Sequence, residues 1–183
     1  MRILLSLLFL ILTTPSIAPT RDVGREALME NLMGRIRAYD LGVRVRGVLS
    51  DVDVTLNLPH EHLLHMERMR DKYGIPFNLF YRLVWYENRF IHDRSSPKGA
   101  VGYMQIMPST FRWISERVDV TCIHDPFDNI EAGAFYLSFQ RSRMGDDDLS
   151  WVLAVASYNA GYSRHREALI HFRETIDYIA FVF

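Results

Sequence analysis

The stretch FNLFYRLVWYENRF, residues 77–90, decides the fold of this chain. Its side chains are apolar on nearly every side of a helical turn, and a helix of that kind belongs inside a domain. Pro76 stands directly before the stretch and suits the first turn of a helix. We therefore predict a buried helix from Phe77 to Asn88, with Glu87 at its carboxyl-terminal end.

Glu87 is the residue of this stretch whose placement points to chemistry. Burial among apolar side chains penalises the charged carboxylate and raises the pKa, and the negative end of the helix dipole acts in the same direction. A carboxylic acid that stays protonated near neutral pH can protonate a leaving oxygen, as cleavage of a glycosidic bond requires. The alternative is a solvent-facing glutamate at a helix end with no chemical role.

Length and composition indicate one folded domain without a nucleic-acid partner. The 183 residues suffice for a real core, and 49% hydrophobic with 13% aromatic residues exclude disorder. The formal net charge is −1, so the chain lacks the global basic field that nucleic-acid binding uses. The arginines at positions 35, 37, 44 and 46 are more typical of a solvated face than of a polymer-binding surface.

The amino terminus has the pattern of an export signal. Met1 and Arg2 precede the apolar run ILLSLLFLIL, which is too short to span a bilayer because a spanning helix needs roughly 20 residues. The small-x-small sequence ending at Ala18 predicts cleavage there, so residues 1–18 are expected to be a signal peptide. The mature chain is then exported to the periplasm or cell envelope. An uncleaved anchor or a buried helix is the alternative.

Cysteine usage fits an exported protein that folds without a disulfide. Cys122 is the only cysteine, so no intrachain disulfide can form. No cysteine follows the apolar run, which excludes a lipoprotein anchor at that place.

The remaining chain is expected to form an N-terminal segment, residues 19–58, and one domain, residues 59–183. A helix is predicted from Asp22 to Tyr39 with Gly42 as its stop, followed by a strand, a hairpin or an extended linker over residues 43–58. Other helices are predicted from near Pro59 to Gly74, from Pro108 to Arg117, after a capping box at Asp128 and Glu131, over residues 149–159, from Ser163 to Phe172, and from about Glu174. The catalytic region is thus helical throughout.

The stretch HEHLLH, residues 60–65, suggests a metal site only at first sight. It is not the HExxH zinc motif, because Leu64 stands four residues after His60. We expect His60, His62 and His65 to be a surface cluster at a helix start, with no metal and no cofactor.

Five ordered segments follow one another after residue 86. They read ENRF at 87–90, SPKGAVGYMQIMPST at 96–110, NIEAGAFYL at 129–137, YNAG at 158–161 and ETIDY at 174–178. Together they resemble the soluble lytic transglycosylase family over about residues 73–178. Two positions depart from the family pattern. Asn88 stands where the family usually has Ser, which changes the local partner of the acid. Tyr103 stands where it has Leu, which adds either an aromatic beside the groove or extra packing.

The resemblance implies a fold, a reaction and a set of site residues. The fold is all-α, within the α+β lysozyme-like superfamily, a compact helical domain with a sugar-binding groove. Glu87 acts as general acid and then general base on the β-1,4 bond between N-acetylmuramic acid and N-acetylglucosamine, and the muramyl C6 hydroxyl closes a 1,6-anhydro end. The implied sugar-binding residues are Ser96, Met104, Gln105, Tyr158, Asn159 and Glu174.

Two other functions stay open from the sequence. The first is a hydrolytic muramidase of the goose-type lysozyme kind, in which Asp93 places a water molecule. The second is a non-catalytic peptidoglycan-binding component of an envelope-spanning machine, although the intact Glu87 argues against loss of catalysis. In every case the expected partner is the glycan strand of the wall. The protein is expected to be a monomer, with secretion, conjugation or phage machinery as further possible partners.

Overall fold

The structure is a computed structural model that describes residues 23–50, 58–145, 149–160 and 173–183. These residues form α1 (Val23–Val48), α2 (His60–Lys72), α3 (Phe77–Asn88), α4 (Pro108–Ser115), α5 (Pro126–Ser142), α6 (Ser150–Ala160) and α7 (Arg173–Val182). Within the described ranges there is no strand, and only isolated antiparallel bridges join Val101 to Ser95 and to Ile106. The prediction of an all-α fold is confirmed over these residues.

The chain divides into two compact units at Gly34. In the first unit, the described residues, 23–34, are the beginning of α1 and are mostly exposed where their side chains are described. The second unit, residues 35–183, contains the remainder of α1 and helices α2 to α7. No helix in the described part of the chain is both long and apolar enough to cross a membrane.

The prediction of an extended segment from residue 43 is wrong over residues 43–48, which continue α1. The alternating pattern there also satisfies a helical period, because Leu41, Val45 and Leu49 recur every fourth residue and are buried in the core. Gly42 does not stop the helix. A Cβ at Gly42 would lie 3.8 Å from a methyl group of Leu63, so α1 approaches α2 closely at this point. Packing against the core therefore overrides the local pattern.

Helix α3 is buried in the core, as its sequence predicts. Five apolar residues of this helix are buried: Leu79, Phe80, Tyr81, Leu83 and Val84. Pro76 is its N-cap residue, so the predicted start is confirmed. The helix packs against α7, while α5 packs against α2, α4 and α6. Arg82 of α3 donates to the carbonyls of Val48 and Phe181 at 3.0 and 2.6 Å, and these bonds join α3 to α1 and α7.

Helix α5 begins three residues earlier than its predicted capping box. Asp125 is the N-cap, and its carboxylate accepts hydrogen bonds from the N–H groups of Phe127 and Asp128 at 2.9 and 3.0 Å. The Asp128 side chain instead accepts from the N–H groups of Thr121 and Cys122 at 2.7 and 2.8 Å. Pro126 lies in the first turn of the helix, a position that suits proline. The predicted capping box at Asp128 and Glu131 would have placed Pro126 before the helix.

Two glycines let a loop and helix α5 meet at van der Waals contact. A Cβ at Gly133 would lie 2.4 Å from Met104, and a Cβ at Gly102, whose φ is +77°, would lie 2.5 Å from the side chain of Asn129. Any larger residue at either position would push the loop away from α5. The loop that connects α3 to α4, residues 89–107, is therefore fixed on the surface of α5.

Several predictions lie outside the described residues. These are the signal peptide at residues 1–18, the extended segment over residues 51–57, the helix from Ser163 to Phe172 and the side chain of Glu174. The division of the chain into residues 1–18, 19–58 and 59–183 stays a prediction.

Candidate active site

Glu87 lies in the last turn of α3, where this helix meets α7. The Tyr178 hydroxyl donates a hydrogen bond of 2.6 Å to Glu87 Oε1. Tyr178 itself is fully buried, and Tyr86 packs edge-on against it with ring centroids 4.7 Å apart. Among the described residues, Tyr178 is therefore the one hydrogen-bond partner of the Glu87 carboxyl.

The Glu87 carboxyl has the perturbed pKa that its sequence position predicts. Desolvation by burial raises its pKa from an ordinary 4.5 to about 7, against the opposing effect of the Tyr178 hydrogen bond. Among the described residues no second carboxylate contributes to this shift. Burial and the Glu87 charge also raise the pKa of both Tyr158 and Tyr178 well above the usual value, so these phenols stay neutral. Glu87 is thus a carboxyl that can keep or release its proton near neutral pH.

Tyr158, a predicted sugar-binding residue, uses its hydroxyl within the protein. The hydroxyl donates to the Met104 carbonyl at 2.7 Å, and the ring lies 5.5 Å from that of Tyr136. Met104 is fully buried against Gly133, so its side chain has no surface to offer a sugar. The placement corrects the interpretation of Met104 as a groove-lining side chain. Met104 instead packs against Gly133 of α5, while Tyr158 is partly exposed.

The loop after α3 is organised around the peptide of Gly102. The Asn88 side-chain amide donates to the Gly102 carbonyl at 2.5 Å, and Gln105 Nε2 donates to the same carbonyl at 2.9 Å. The Gly102 N–H donates to the Arg94 carbonyl at 3.1 Å. Asn88, which replaces the usual Ser, is buried and joins the end of α3 to this loop rather than bonding to Glu87. These contacts place Gln105 next to the segment that carries the acid.

Backbone strain is concentrated in the same place. Helix α3 ends in two successive non-glycine residues of left-handed conformation, Arg89 with φ 53° and Phe90 with φ 58°. Gln105 has φ 44° and is the third such residue among those described. Each costs of order 1–3 kcal/mol, and strain of this kind persists mostly at functional sites. Arg89 and Phe90 lie within three residues of Glu87, and Gln105 is bonded to the Gly102 carbonyl.

A cavity of about 250 Å³ continues from the ring of Tyr136. Its lining residues are Ser109, Thr110, Trp113 and Tyr136. It joins hydroxyl groups at the start of α4 to aromatic surface from Trp113 and α5, which is the mixture that a pyranose ring with polar edges and apolar faces requires. Tyr136 contacts Tyr158, whose pKa the Glu87 charge raises, so these two aromatic rings lie between the cavity and the neighbourhood of Glu87.

Sequence reasoning missed Tyr178 and the cavity residues as members of the site. Tyr178 stands in the quoted segment ETIDY, so the signal was present, but its contact with a residue 91 positions earlier depends on the packing of α7 on α3. Thr110 and Tyr136 were likewise quoted within segments that carry the resemblance. Nothing in the sequence marks Trp113.

The other predicted site residues have mainly local hydrogen bonds. Ser96 Oγ accepts from the Ala100 N–H at 3.0 Å and closes the turn of the loop. Asn159 Oδ1 accepts from the Thr175 hydroxyl at 3.3 Å and joins α6 to α7. Their roles in sugar binding, and that of Glu174, stay predictions.

The prediction of a surface cluster is wrong for His62, which is buried in the structure. Two histidines of α2 have partners that a metal ion would have to displace. His62 Nδ1 lies 2.9 Å from the Tyr103 hydroxyl, and His65 Nε2 lies 3.2 Å from the Phe127 carbonyl. Among the described residues no group of three or more His, Cys, Asp or Glu side chains is arranged to hold a metal ion. Tyr103 is fully buried beside His62, so the aromatic ring at this departure from the family pattern serves packing.

Comparisons with known proteins match this fold and these segments. A family model described as Transglycosylase SLT domain matches residues 65–179. Membrane-bound lytic murein transglycosylase C of Haemophilus ducreyi is 30% identical over 139 residues, which are 70% of this chain and 36% of that protein. Membrane-bound lytic murein transglycosylase F of Pectobacterium atrosepticum is 29% identical over 147 residues, which are 77% of this chain and 28% of that protein.

A solved structure agrees with the fold. It is the inactive Glu-to-Gln mutant of the lytic transglycosylase Slt from Pseudomonas aeruginosa, with a TM-score of 0.56 and 27% identity over 81% of this chain and 28% of that one. The helical lysozyme-like fold and the resemblance stated above are thereby confirmed. The chain spans only 28% to 36% of the length of these three relatives.

Proposed function

Because the chain belongs to the transglycosylase SLT domain family, we propose that it is a peptidoglycan lytic transglycosylase of the cell envelope, with Glu87 as its acid and base. The substrate is the β-1,4 bond between N-acetylmuramic acid and N-acetylglucosamine, and the product is a 1,6-anhydro-muramyl end. The observation that carries the proposal is the Glu87 carboxyl with a pKa raised to about 7 beside the Tyr178 hydroxyl.

In the first step Glu87 donates its proton to the glycosidic oxygen as the bond to the muramyl C1 breaks. A pKa near the working pH makes a carboxyl an efficient proton donor. Tyr178 holds Oε1 at 2.6 Å and so orients the group, and it stabilises the carboxylate that forms. The Slt relative of solved structure is described as inactive when one glutamate becomes glutamine, which supports an essential glutamate in the proposed mechanism.

In the second step the Glu87 carboxylate accepts the proton of the muramyl C6 hydroxyl, whose oxygen closes onto C1. The proton count returns to its starting value and no water is consumed. Internal attack has an entropic advantage, because the nucleophile is tethered to the reacting ring. One carboxylate suffices when the substrate's own acetamido group stabilises C1, a recognised exception to the two-carboxylate rule.

The proposed sugar-binding groove extends from the loop around Gly102 to the cavity beside Trp113. Gln105 offers donor and acceptor atoms to sugar hydroxyl and acetamido groups. Ser96, Asn159 and Glu174 are proposed as further sugar contacts from the loop and from the region of α6 and α7. The cavity adds Thr110 and Trp113, so one sugar ring can lie there while the scissile bond lies at Glu87.

Hydrolysis by a water molecule that Asp93 places is the second candidate. Asp93 is exposed. Its charge raises the pKa of Tyr103, but it is not among the causes of the raised pKa of Glu87. A water-placing carboxylate next to the acid would raise the Glu87 pKa through like-charge repulsion. The electrostatics of the described residues therefore favour internal attack over hydrolysis.

Digestion of purified wall in heavy-oxygen water tests the proposal. We expect wild-type protein to release fragments whose new muramyl ends are all 1,6-anhydro, one water lighter than reducing ends, and free of heavy oxygen by mass spectrometry. Mostly reducing, heavy-oxygen-labelled muramyl ends would establish the hydrolytic candidate instead. Binding without any cleavage would establish the non-catalytic alternative.

A further inference from the structure

We infer that Arg89 and Arg94 form a binding site for a carboxylate carried by the muramyl residue of the substrate, beside the glycan groove. The inference rests on the proposed function. It adds a ligand group, the anion of the muramyl substituent, which the sugar chemistry at Glu87 does not use.

Hydrogen bonds to Gly102 hold the chain near both arginines in the loop that follows Glu87. The carbonyl of Arg94 accepts from the Gly102 N–H at 3.1 Å and from Gln105 Nε2 at 3.3 Å. Asn88, directly before Arg89, donates to the Gly102 carbonyl. The Arg94 backbone and the side chain of the residue before Arg89 are therefore both bonded to Gly102, whose carbonyl also binds Gln105, the expected sugar contact.

Their charges are uncompensated within the described part of the chain. Both side chains are exposed, and neither takes part in an ion pair with another described residue. Burial lowers the pKa of Arg89, the Tyr86 phenol opposes this effect, and the Arg94 charge lowers the pKa further, which places the two cations within electrostatic reach. Asp93 is the only acidic residue of the loop 89–98, and it influences Tyr103.

The conformation of Arg89 is costly and is nevertheless retained. It occupies the left-handed C-cap of α3, with φ 53°, where glycine would be free of strain. Its guanidinium lies 3.3 Å from the centre of the Trp85 ring, which in turn stacks on Phe181. A guanidinium on an aromatic face keeps its in-plane N–H donors available, and their fork matches a carboxylate.

The ligand chemistry follows from the polymer. An uncharged glycan offers no partner for two cations, but each muramyl lactyl group carries either a peptide stem with free carboxylates or, when the stem is removed, its own carboxylate. Both sources lie next to the bond that Glu87 is proposed to cleave. A pair of arginines there selects muramyl units that bear an anion.

Three forms of one wall preparation separate these sources. The first is intact wall, the second is the same wall with its stem carboxylates converted to amides by carbodiimide, and the third is amidase-stripped glycan with free lactyl carboxylates. The readout is kcat/KM at low salt for wild type and for the double variant Arg89→Gln, Arg94→Gln. The double variant Arg89→Lys, Arg94→Lys retains the charges. Arg37→Gln removes an exposed arginine on α1 that forms no ion pair with another described residue.

We expect the glutamine variant to lose roughly two- to five-fold per arginine on a carboxylate-bearing substrate, the size of an exposed ion pair. Its kcat/KM on amidated wall should equal that of wild type. On a carboxylate-bearing substrate the loss of kcat/KM should be smaller at high salt, because salt screens the ion pair. Loss on intact wall alone assigns the stem carboxylate, and loss on stripped glycan assigns the lactyl carboxylate. The lysine variant should retain most activity, and Arg37→Gln should behave as wild type.

Equal losses on all three substrates would overturn the inference and leave a purely structural role at the end of α3. Thermal unfolding of each variant shows whether such a loss comes from the fold. If wild-type protein cleaves none of the three substrates, the proposed function itself is wrong, which is a different result from equal losses.

Discussion

The end of helix α3 and the loop that follows it each carry one carboxyl group, six residues apart, in opposite surroundings. Glu87 lies against buried aromatic side chains and accepts from Tyr178, and its pKa is raised to about 7. Asp93 is exposed on the loop and follows the strained pair at residues 89 and 90. The comparison shows that position along a short segment does not decide the chemistry of a carboxyl group, whereas desolvation by the surrounding fold does.

The two regions also differ in what holds them. The acid is fixed by the packing of α3 on α7, which are far apart in sequence. The loop is fixed by hydrogen bonds around Gly102 and by the contact of that glycine with Asn129. In the proposed mechanism, the proton donor is therefore held by core packing, and the expected sugar contacts Ser96 and Gln105 belong to a loop that contains three left-handed non-glycine residues.

Replacing the carboxyl of Glu87, and separately that of Asp93, by an amide tests the difference between the two regions most directly. Glu87→Gln preserves the shape but cannot donate a proton, so we expect cleavage to fall by about 10²- to 10⁴-fold while wall binding remains. Asp93→Asn is the matched control and should stay within a factor of two of wild type. Release of wall fragments measures both. A folded Glu87→Gln protein with near wild-type turnover, or an equal loss in Asp93→Asn, contradicts the assignment.

The pH dependence of stability gives the next effect in size. Since the folded-state pKa of Glu87 is raised from 4.5 to about 7, the folded protein binds more protons than the unfolded chain between these values, and stability falls as the pH rises through them. Glu87→Gln lacks this loss. Urea unfolding at pH 5 and pH 8 should therefore show the variant gaining about 2–3 kcal/mol on wild type at the higher pH. Parallel stability curves for the two proteins would mean that Glu87 is hydrated.

Removal of the Tyr178 hydroxyl, the one partner of Glu87 among the described residues, gives the smallest effect. The Tyr178 hydrogen bond favours the ionised form, so Tyr178→Phe raises the Glu87 pKa further. The alkaline limb of the kcat/KM profile should move upward by roughly one pH unit, with a loss of a few-fold at the optimum from poorer orientation. Tyr73→Phe, which removes a phenol that donates to Glu131 at 3.1 Å, is the control. A downward shift of the limb would show that Tyr178 stabilises the protonated acid instead.

The sequence predicts the acid better than its surroundings. An all-round apolar stretch with one carboxyl at its end identifies Glu87 as buried, because both facts are local. The contact of Glu87 with Tyr178 and the contact of Tyr136 with Tyr158 require the packing of α7, α6 and α5, which no local pattern encodes. Met104 belongs to a segment that is typical of the family, yet its side chain is buried in the core. Membership of such a segment therefore does not show that a side chain is exposed to a ligand.

Element boundaries were mistaken where two local patterns competed. Residues 43–48 satisfy both an alternating and a helical period, and the contact of α1 with the core selects the helix. At α5, Asp125 and Asp128 are both good caps, and Pro126 decides for the earlier one because it fits the first turn. In both cases tertiary contact or turn chemistry, rather than propensity, settles the outcome.

Titration of the Glu87 carboxyl carbon by NMR tests the central claim most directly. Uniformly labelled wild-type protein is followed from pH 3 to 9, and the resonance is assigned by its absence in Glu87→Gln. The account predicts a midpoint near 7 for this carbon, as desolvation beside Tyr178 and Tyr158 requires. A midpoint near the ordinary value of 4.5 would contradict it, because a carboxyl already ionised at neutral pH cannot act as the proton donor.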